Sequence, residues 1–395
     1  MGLKLINRFL RETDRKCRRK FMYNLIWKSI WTFRKFKNRK RKGELFPAFQ
    51  FISVTDNCNL TCQGCWVTQG DKATELSIDQ VNKIIDDSKK LGSYFFGILG
   101  GEPLMYKPLL DLFKHHPDCY FQLFTNGTLL SDNIAKKLRK AGNVTPLISF
   151  EGDEKVADIR RGGNEIYTKT RKALDICKRN KLITGVAISV CKSNIEMALS
   201  DEFVRMIWNH GATYLWYYIY RPGGSNPNFE LALDKSEIDR LRNFMVKART
   251  QYPIIIIDSY WGANGEPFCP AVEGLSHHIG PSGYIEPCPV IQLANDSING
   301  KNLEQVYKNS EFLRGFKKEV ADMTNGCIFM EDPAWLNDFG NRFSAINTSK
   351  RPDYGDSLKN ASITVSHGSS DHIPEKSRLY KFAKRNAFFG LGAYG

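Results

Sequence analysis

The sequence predicts an α/β fold, a partial (β/α)6 TIM-type barrel, on three observations. Between residues 48 and 250, short runs rich in apolar and aromatic residues alternate with amphipathic stretches of helical period. The alternation repeats six times in series, which implies a parallel sheet with covering helices. Six units suit an open barrel better than a closed eight-stranded one.

Phe49–Val54 reads as the first strand and leads straight into a cysteine loop. Ser77 with Gln80 is a capping box that opens a helix through Lys90. Tyr94–Leu99 is the second strand, Pro108–Lys114 a short helix and Tyr120–Thr125 the third strand. Ser131–Ala141 is a helix that Gly142 stops. Leu147–Phe150 is the fourth strand, Glu165–Arg179 is helical and Gly185–Val190 is the fifth strand. Ala198–Asn209 is helical and Tyr214–Tyr220 is the sixth strand. A helix at Lys235–Ala248 and a strand at Ile254–Asp258 follow. Residues 251–340 change character, being loop-rich from 259 onward and carrying three cysteines. Residues 345–395 read as a polar, disordered tail.

Charge divides the chain. Residues 1–43 hold sixteen Lys or Arg against Glu12 and Asp14, which is +14 of the net +15. The body is nearly neutral, so no nucleic-acid partner is expected. In the leader, Met22, Leu25, Ile26, Ile30 and Phe33 recur at helical spacing among basic residues, with Trp27, Trp31 and Phe36 interleaved. That pattern suits an anionic membrane surface or packing on the barrel, and RNA or an acidic protein would use the same chemistry. No secretory signal and no apolar run of roughly 18 residues is present. The expected compartment is the reducing cytoplasm, with peripheral contact on the inner face of the membrane through residues 1–43. Clustered cysteines there point to metal before disulfide.

Cys58-Asn59-Leu60-Thr61-Cys62-Gln63-Gly64-Cys65 follows the first strand. A C-x3-C-x2-C loop can wrap three thiolates around one face of a [4Fe–4S] cubane and leave the fourth iron open. A zinc knuckle would need a fourth closed ligand, and no further Cys or His lies nearby. Gly100-Gly101-Glu102-Pro103 follows the second strand and Thr125-Asn126-Gly127 the third. Ser149-Phe150-Glu151-Gly152 ends the fourth, Asp158-Ile159-Arg160-Arg161-Gly162 comes after it, and Ser189 lies in the fifth. Barrel sites form at such C-terminal strand ends.

Over about residues 48–340 this ordered set resembles the radical S-adenosylmethionine (SAM) superfamily. The resemblance implies a cluster on Cys58, Cys62 and Cys65 whose open iron binds SAM. Reductive cleavage then gives a 5′-deoxyadenosyl radical that abstracts a substrate hydrogen. It implies that Gly100, Gly101, Glu102 and Pro103 meet the SAM amino group, Ser149 and Glu151 the ribose, and Arg161 the carboxylate. Ser189 adds a polar contact. Many members carry an aromatic residue just before the third cysteine; here Gly64 stands there, and Trp66 is expected to take over the adenine packing. A flavodoxin- or ferredoxin-type protein would supply electrons.

Cys269, then Gly283 and Cys288 in a C-x13-G-x4-C pattern, then Cys327, resemble the auxiliary-cluster domains called SPASM or twitch. The longer cysteine run of a full SPASM domain is missing. The resemblance implies one second [4Fe–4S] cluster on Cys269, Cys288 and Cys327, its fourth iron open or bound by a non-cysteine ligand or substrate. His277 and His278, between the first two cysteines, are the histidines considered for that corner. Cys119, Cys177 and Cys191 read as buried free thiols, and Cys17 stands alone among basic residues. The implied activity is oxidation or crosslinking of a peptide side chain. The alternatives are a lipid or lipid-linked substrate at a membrane, or a non-catalytic iron–sulfur electron carrier, which would not need the SAM-contact segments.

Overall fold

The predicted strands form, in order, as β1 (Phe49–Ser53), β2 (Phe95–Leu99), β3 (Tyr120–Thr125), β4 (Val144–Phe150), β5 (Gly185–Val190) and β6 (Tyr214–Ile219). In this computed structural model, which describes residues 2–324, 326–368 and 373–386, each pairs in parallel with the next. All five residues of β1 are buried, as expected of a parallel strand covered on both faces. β4 starts three residues before its predicted start, because pairing with β3 runs from Val144 across Pro146 to Ile148. β7 (Ile255–Ile257) continues the parallel sheet beyond β6, and β8 (Ser276–Ile279) joins the other edge beside β1. β9 (Tyr284–Glu286) pairs antiparallel with β8. β10 (Leu293–Ala294), β11 (Asp296–Ser297) and β12 (Ile346–Asn347) are short; β11 closes the ten-stranded order, and β10 pairs with β12.

The helices differ from expectation where capping decides. The predicted helix Ala198–Asn209 is two pieces, Ile195–Ala198 and Asp201–Asn209, because Ser200 caps the second by accepting from the Phe203 N–H. Glu154–Arg161, capped by Asp153, is an unpredicted helix and carries Arg160 and Arg161. The region read as loop-rich holds the helices Leu303–Asn309, Glu311–Met323 and Pro333–Arg342, capped by Asn302, Ser310 and Asp332. The predicted disorder after residue 345 is also corrected over residues 346–368 and 373–386. β12 pairs there, Tyr354 and Leu358 are buried, and the helix Arg378–Asn386 buries Tyr380. Residues 369–372 and 387–395 lie outside the described residues.

The leader is helical and packs under the barrel. It comprises α1 (Gly2–Glu12), α2 (Arg15–Lys20), a wider helical segment Phe21–Trp27 and α3 (Lys28–Arg41), and residues from Asp14 onward reach carbonyls just ahead of the strands. The Asp14 N–H donates to the Lys181 carbonyl before β5 (2.9 Å). Asn24 donates to the Cys119 carbonyl before β3 (2.9 Å), and Thr32 to the Gly92 carbonyl before β2 (2.7 Å). Cys17 and Phe36 join the main core. The face that packs includes Asn24, Ser29 and Thr32 together with Leu25 and Phe33 of the apolar stripe, while Met22, Trp27 and Trp31 stay exposed. Asn24 and Thr32 are buried because the loop carbonyls at the sheet's lower end need donors, while Ser29 donates to the Ile26 carbonyl of the leader itself. Cys119, Cys177 and Cys191 are buried free thiols, as is Cys17 on the leader's barrel-facing side.

Candidate active site

The cysteine loop leaves β1 at the C-terminal mouth of the barrel, and neighbouring segments fix its path. Gly101 N–H donates to the Thr55 carbonyl and Glu102 N–H to the Asn57 carbonyl, both at 2.8 Å. A side chain at Gly101 would place its Cβ 2.4 Å from the Asn57 carbonyl oxygen, so only glycine permits this backbone contact. On the far side, Gln63 N–H donates to the Arg160 carbonyl (2.9 Å) and Gly64 N–H to the Asn226 carbonyl (2.8 Å). Asn59, between the first two cysteines, accepts from Asn126 (2.9 Å) and donates to Thr128 (2.8 Å), which ties the loop to the turn after β3.

The mouth holds a cavity of ≈ 610 Å³, in the size range of cofactor and substrate sites. Cys58, Cys62 and Cys65 line it together with Gly100, Gly101, Ser149, Glu151, Arg161, Ser189 and Trp66. Burial pushes the Cys58 thiol up to about 11 and Cys65 up to about 12. Arg161 donates to Glu151 (2.5 Å) and approaches the Cys62 sulfur at 3.7 Å, while Arg160 donates to the other Glu151 oxygen (3.0 Å). Burial opposes the Arg161 charge, but Glu151 and Cys62 outweigh it and hold the guanidinium protonated. Two cations on one carboxylate leave a net positive wall beside the thiols.

Two predicted contacts stand elsewhere. Glu102 and Pro103 lie behind the cavity wall. Glu102 is 0% exposed, and its oxygens accept from Thr125 Oγ (2.8 Å), Asn126 N–H (2.7 Å) and Leu104 N–H (3.0 Å). Burial raises it to about 6 despite those bonds. Trp66 lines the cavity but meets the His278 ring edge-on at 5.2 Å. The space an aromatic at position 64 would fill is taken instead by Tyr220, whose ring lies 2.4 Å from a Cβ built on Gly64 (φ +70°). Arg160 covers Tyr220 at 4.5 Å. Tyr220 and Arg221 were missed in the sequence; the glycine before the third cysteine was the only sign of them.

Cys269, Cys288 and Cys327 line a second, interior cavity. Arg221 lines both cavities and pairs with Cys327, so it stands in the wall between them. His277 and His278 do not line the second cavity. Both belong to β8 inside the sheet. His277 stacks on Tyr307 at 5.4 Å, and His278 is held by Ser53 (2.7 Å) and Glu286 (2.6 Å). The histidine that does line the cavity is His367.

Among the described residues, one ligand-type trio gathers within 4.8 Å, His116 with Asp118 and Cys119, and there Lys28 and Lys89 pair with Asp118. Neither cysteine trio gathers so tightly. A tetrahedral zinc with thiolates at about 2.3 Å would draw them to about 3.8 Å apart. What each trio offers is three thiols lining one cavity, the donor type that holds iron–sulfur clusters.

A partial barrel with three such thiols at its mouth defines a class of iron–sulfur enzyme. The profile described as the Radical SAM superfamily matches residues 52–197. A Fe-coproporphyrin III synthase of Methanosarcina barkeri is 29% identical over 313 residues, 76% of this chain and 71% of that protein. The mycofactocin maturase MftC of Mycolicibacterium smegmatis is 25% identical over 285 residues, 67% of this chain and 71% of the relative. Streptococcus suis SuiB, solved with its precursor peptide SuiA, superposes with a TM-score of 0.61 at 18% identity, covering 72% of this chain and 70% of SuiB. Residues 52–197 thus carry a radical SAM domain. The chain is an enzyme whose cofactors are a [4Fe–4S] cluster and SAM.

Proposed function

We propose that Cys58, Cys62 and Cys65 hold the cluster, that SAM occupies the ≈ 610 Å³ cavity above it, and that the substrate is a peptide side chain. The observation that carries this is one cavity lined at once by three thiols, two glycines, Ser149, Ser189 and Arg161. When bound, the cluster supplies the electron that cleaves SAM to the 5′-deoxyadenosyl radical. Arg161, held by Glu151 but not neutralised because Arg160 shares that carboxylate, takes the SAM carboxylate. Ser149 and Ser189 offer hydroxyls to the ribose. Glu102 acts from behind by holding Thr125 and Asn126 in the wall.

The test is anaerobic reconstitution of the Cys269→Ala/Cys288→Ala/Cys327→Ala variant. About four irons per chain and 5′-deoxyadenosine from SAM plus dithionite are expected, and the cluster spectrum should change on adding SAM. An iron-loaded protein blind to SAM ends the assignment. The peptide class is supported by the likeness to SuiB, which binds a precursor peptide, and to a maturase. Deuterium transfer into 5′-deoxyadenosine from a deuterium-labelled peptide is the expected result. Transfer only from a porphyrin or a lipid would replace that reading.

A second reading concerns the leader. Met22, Tyr23, Trp27 and Trp31 are exposed among Lys and Arg on the barrel's lower end, a surface matched to anionic lipid. No helix among the described residues is long and apolar enough to cross a membrane. The cavity opens at the opposite end, so lipid contact there anchors the enzyme and does not feed it substrate.

A further inference from the structure

We propose that His367 is the fourth ligand of the auxiliary [4Fe–4S] cluster, through Nε2, completing a Cys3His set with Cys269, Cys288 and Cys327. The proposal rests on the reading that those three thiols hold a cluster.

His367 lines the interior cavity with the three cysteines. Its side chain is 10% exposed. Among the described residues Nε2 has no hydrogen-bond partner, although it is buried. An unpaired buried nitrogen costs free energy unless something binds it. Nδ1 is engaged: it lies 2.8 Å from Ser366 Oγ and 3.7 Å from a Glu331 oxygen. A carboxylate behind one ring nitrogen fixes the tautomer and leaves the other nitrogen's lone pair free for metal.

The same groups position Cys327. Its N–H donates to Ser366 Oγ (3.1 Å), and Ser366 in turn donates to Glu331. Thr324 also donates to Glu331, and the Gly326 N–H donates to Thr324 (2.7 Å). One polar knot thus holds Cys327 and His367 on the same wall, forty residues apart in sequence. Gly326 makes room for it: a Cβ there would lie 2.6 Å from His367 Nδ1. The four ligand atoms do not gather within 4.8 Å of one another. That is not the spacing of a single-ion site.

The experiment uses full-length Cys58→Ala/Cys62→Ala/Cys65→Ala protein, reconstituted anaerobically so that only the auxiliary site can load, then reduced with dithionite. The expected result is about four irons per chain and a ¹⁴N coupling in pulsed electron paramagnetic resonance that becomes a ¹⁵N coupling on histidine labelling. Adding His367→Ala should abolish the coupling. Adding His367→Cys should keep four irons without nitrogen coupling. Four irons without nitrogen coupling in the parent, or a coupling that survives His367→Ala, overturns the ligand and leaves the cluster standing. Absence of iron in the parent overturns the cluster itself. If His367→Ala loses its iron, His367→Cys decides: recovery of iron supports the proposal, and a persistently empty site refutes it.

Discussion

Gly64 and Tyr220 exchange a role across the barrel mouth. The third-cysteine turn needs a positive φ, and the Tyr220 ring sits where a Gly64 side chain would point. Gly64→Ala should therefore cut cluster occupancy at least twofold, read as iron per chain, and Gly64→Ala/Tyr220→Ala should recover part of it; no recovery would dissociate the two residues. Arg161 offers a sharper test. Losing one charge-assisted contact costs about 1.5–3 kcal/mol, which is about 10- to 150-fold in affinity. Arg161→Ala should weaken SAM binding by that factor in a titration of the cluster spectrum. Lys, without the planar fork, should restore only part. Unchanged affinity would remove Arg161 from the carboxylate. The thiols and the glycines were legible because local spacing writes them. Tyr220, Arg221 and His367 were not, because their roles exist only between distant segments.

The element that ties the tail to the barrel is the helix Arg378–Asn386. Asp258, just after β7, is fully buried and meets Arg242 and Arg249 from the helix Lys235–Gln251 and Lys384 (2.9 Å) from the tail helix. Glu375 takes the other arm of Arg249 (2.5 Å). Burial alone would raise the Asp258 carboxyl, but the three cations outweigh it and hold it well below the carboxylate range. Its stabilisation is thus full above the unfolded pKa of about 4 and is lost as pH falls below that. Asp258→Asn strands buried cations and should cost about 3–5 kcal/mol in urea melts at pH 7. The gap to wild type should narrow by about 1.4 kcal/mol per pH unit below about 4. A gap independent of pH would mean the charge is not what matters. In sequence this tail was polar and unremarkable, since an ion pair reads as solvated charge until its partner is known.

At the scale of the whole molecule, the two ends of the barrel are divided between tasks. The leader closes the lower end, and burial of Phe36 alone contributes about 1.5–3 kcal/mol. Removing residues 1–43 should lower the melting temperature as well as any lipid affinity. The cleaner probe is Trp27→Ser/Trp31→Ser, two side chains 57% and 55% exposed. Binding to anionic vesicles should fall at least tenfold while SAM cleavage stays at the wild-type rate. Equal vesicle binding would leave the leader a structural cap only.

Periodicity, caps and cysteine spacing are local properties, so the sequence by itself determined the order of the strands, the three-thiol loop and the radical SAM class. Which side chains share a wall depends on how those elements close on one another. Only the tertiary structure decided that Glu102 stands behind the cavity, that Tyr220 fills the place opened by Gly64, and that His367 replaces His277 and His278 beside the second cysteine trio. Burial made the difference, because a polar group in the interior must find a partner, and that partner is chosen by space and not by distance along the chain.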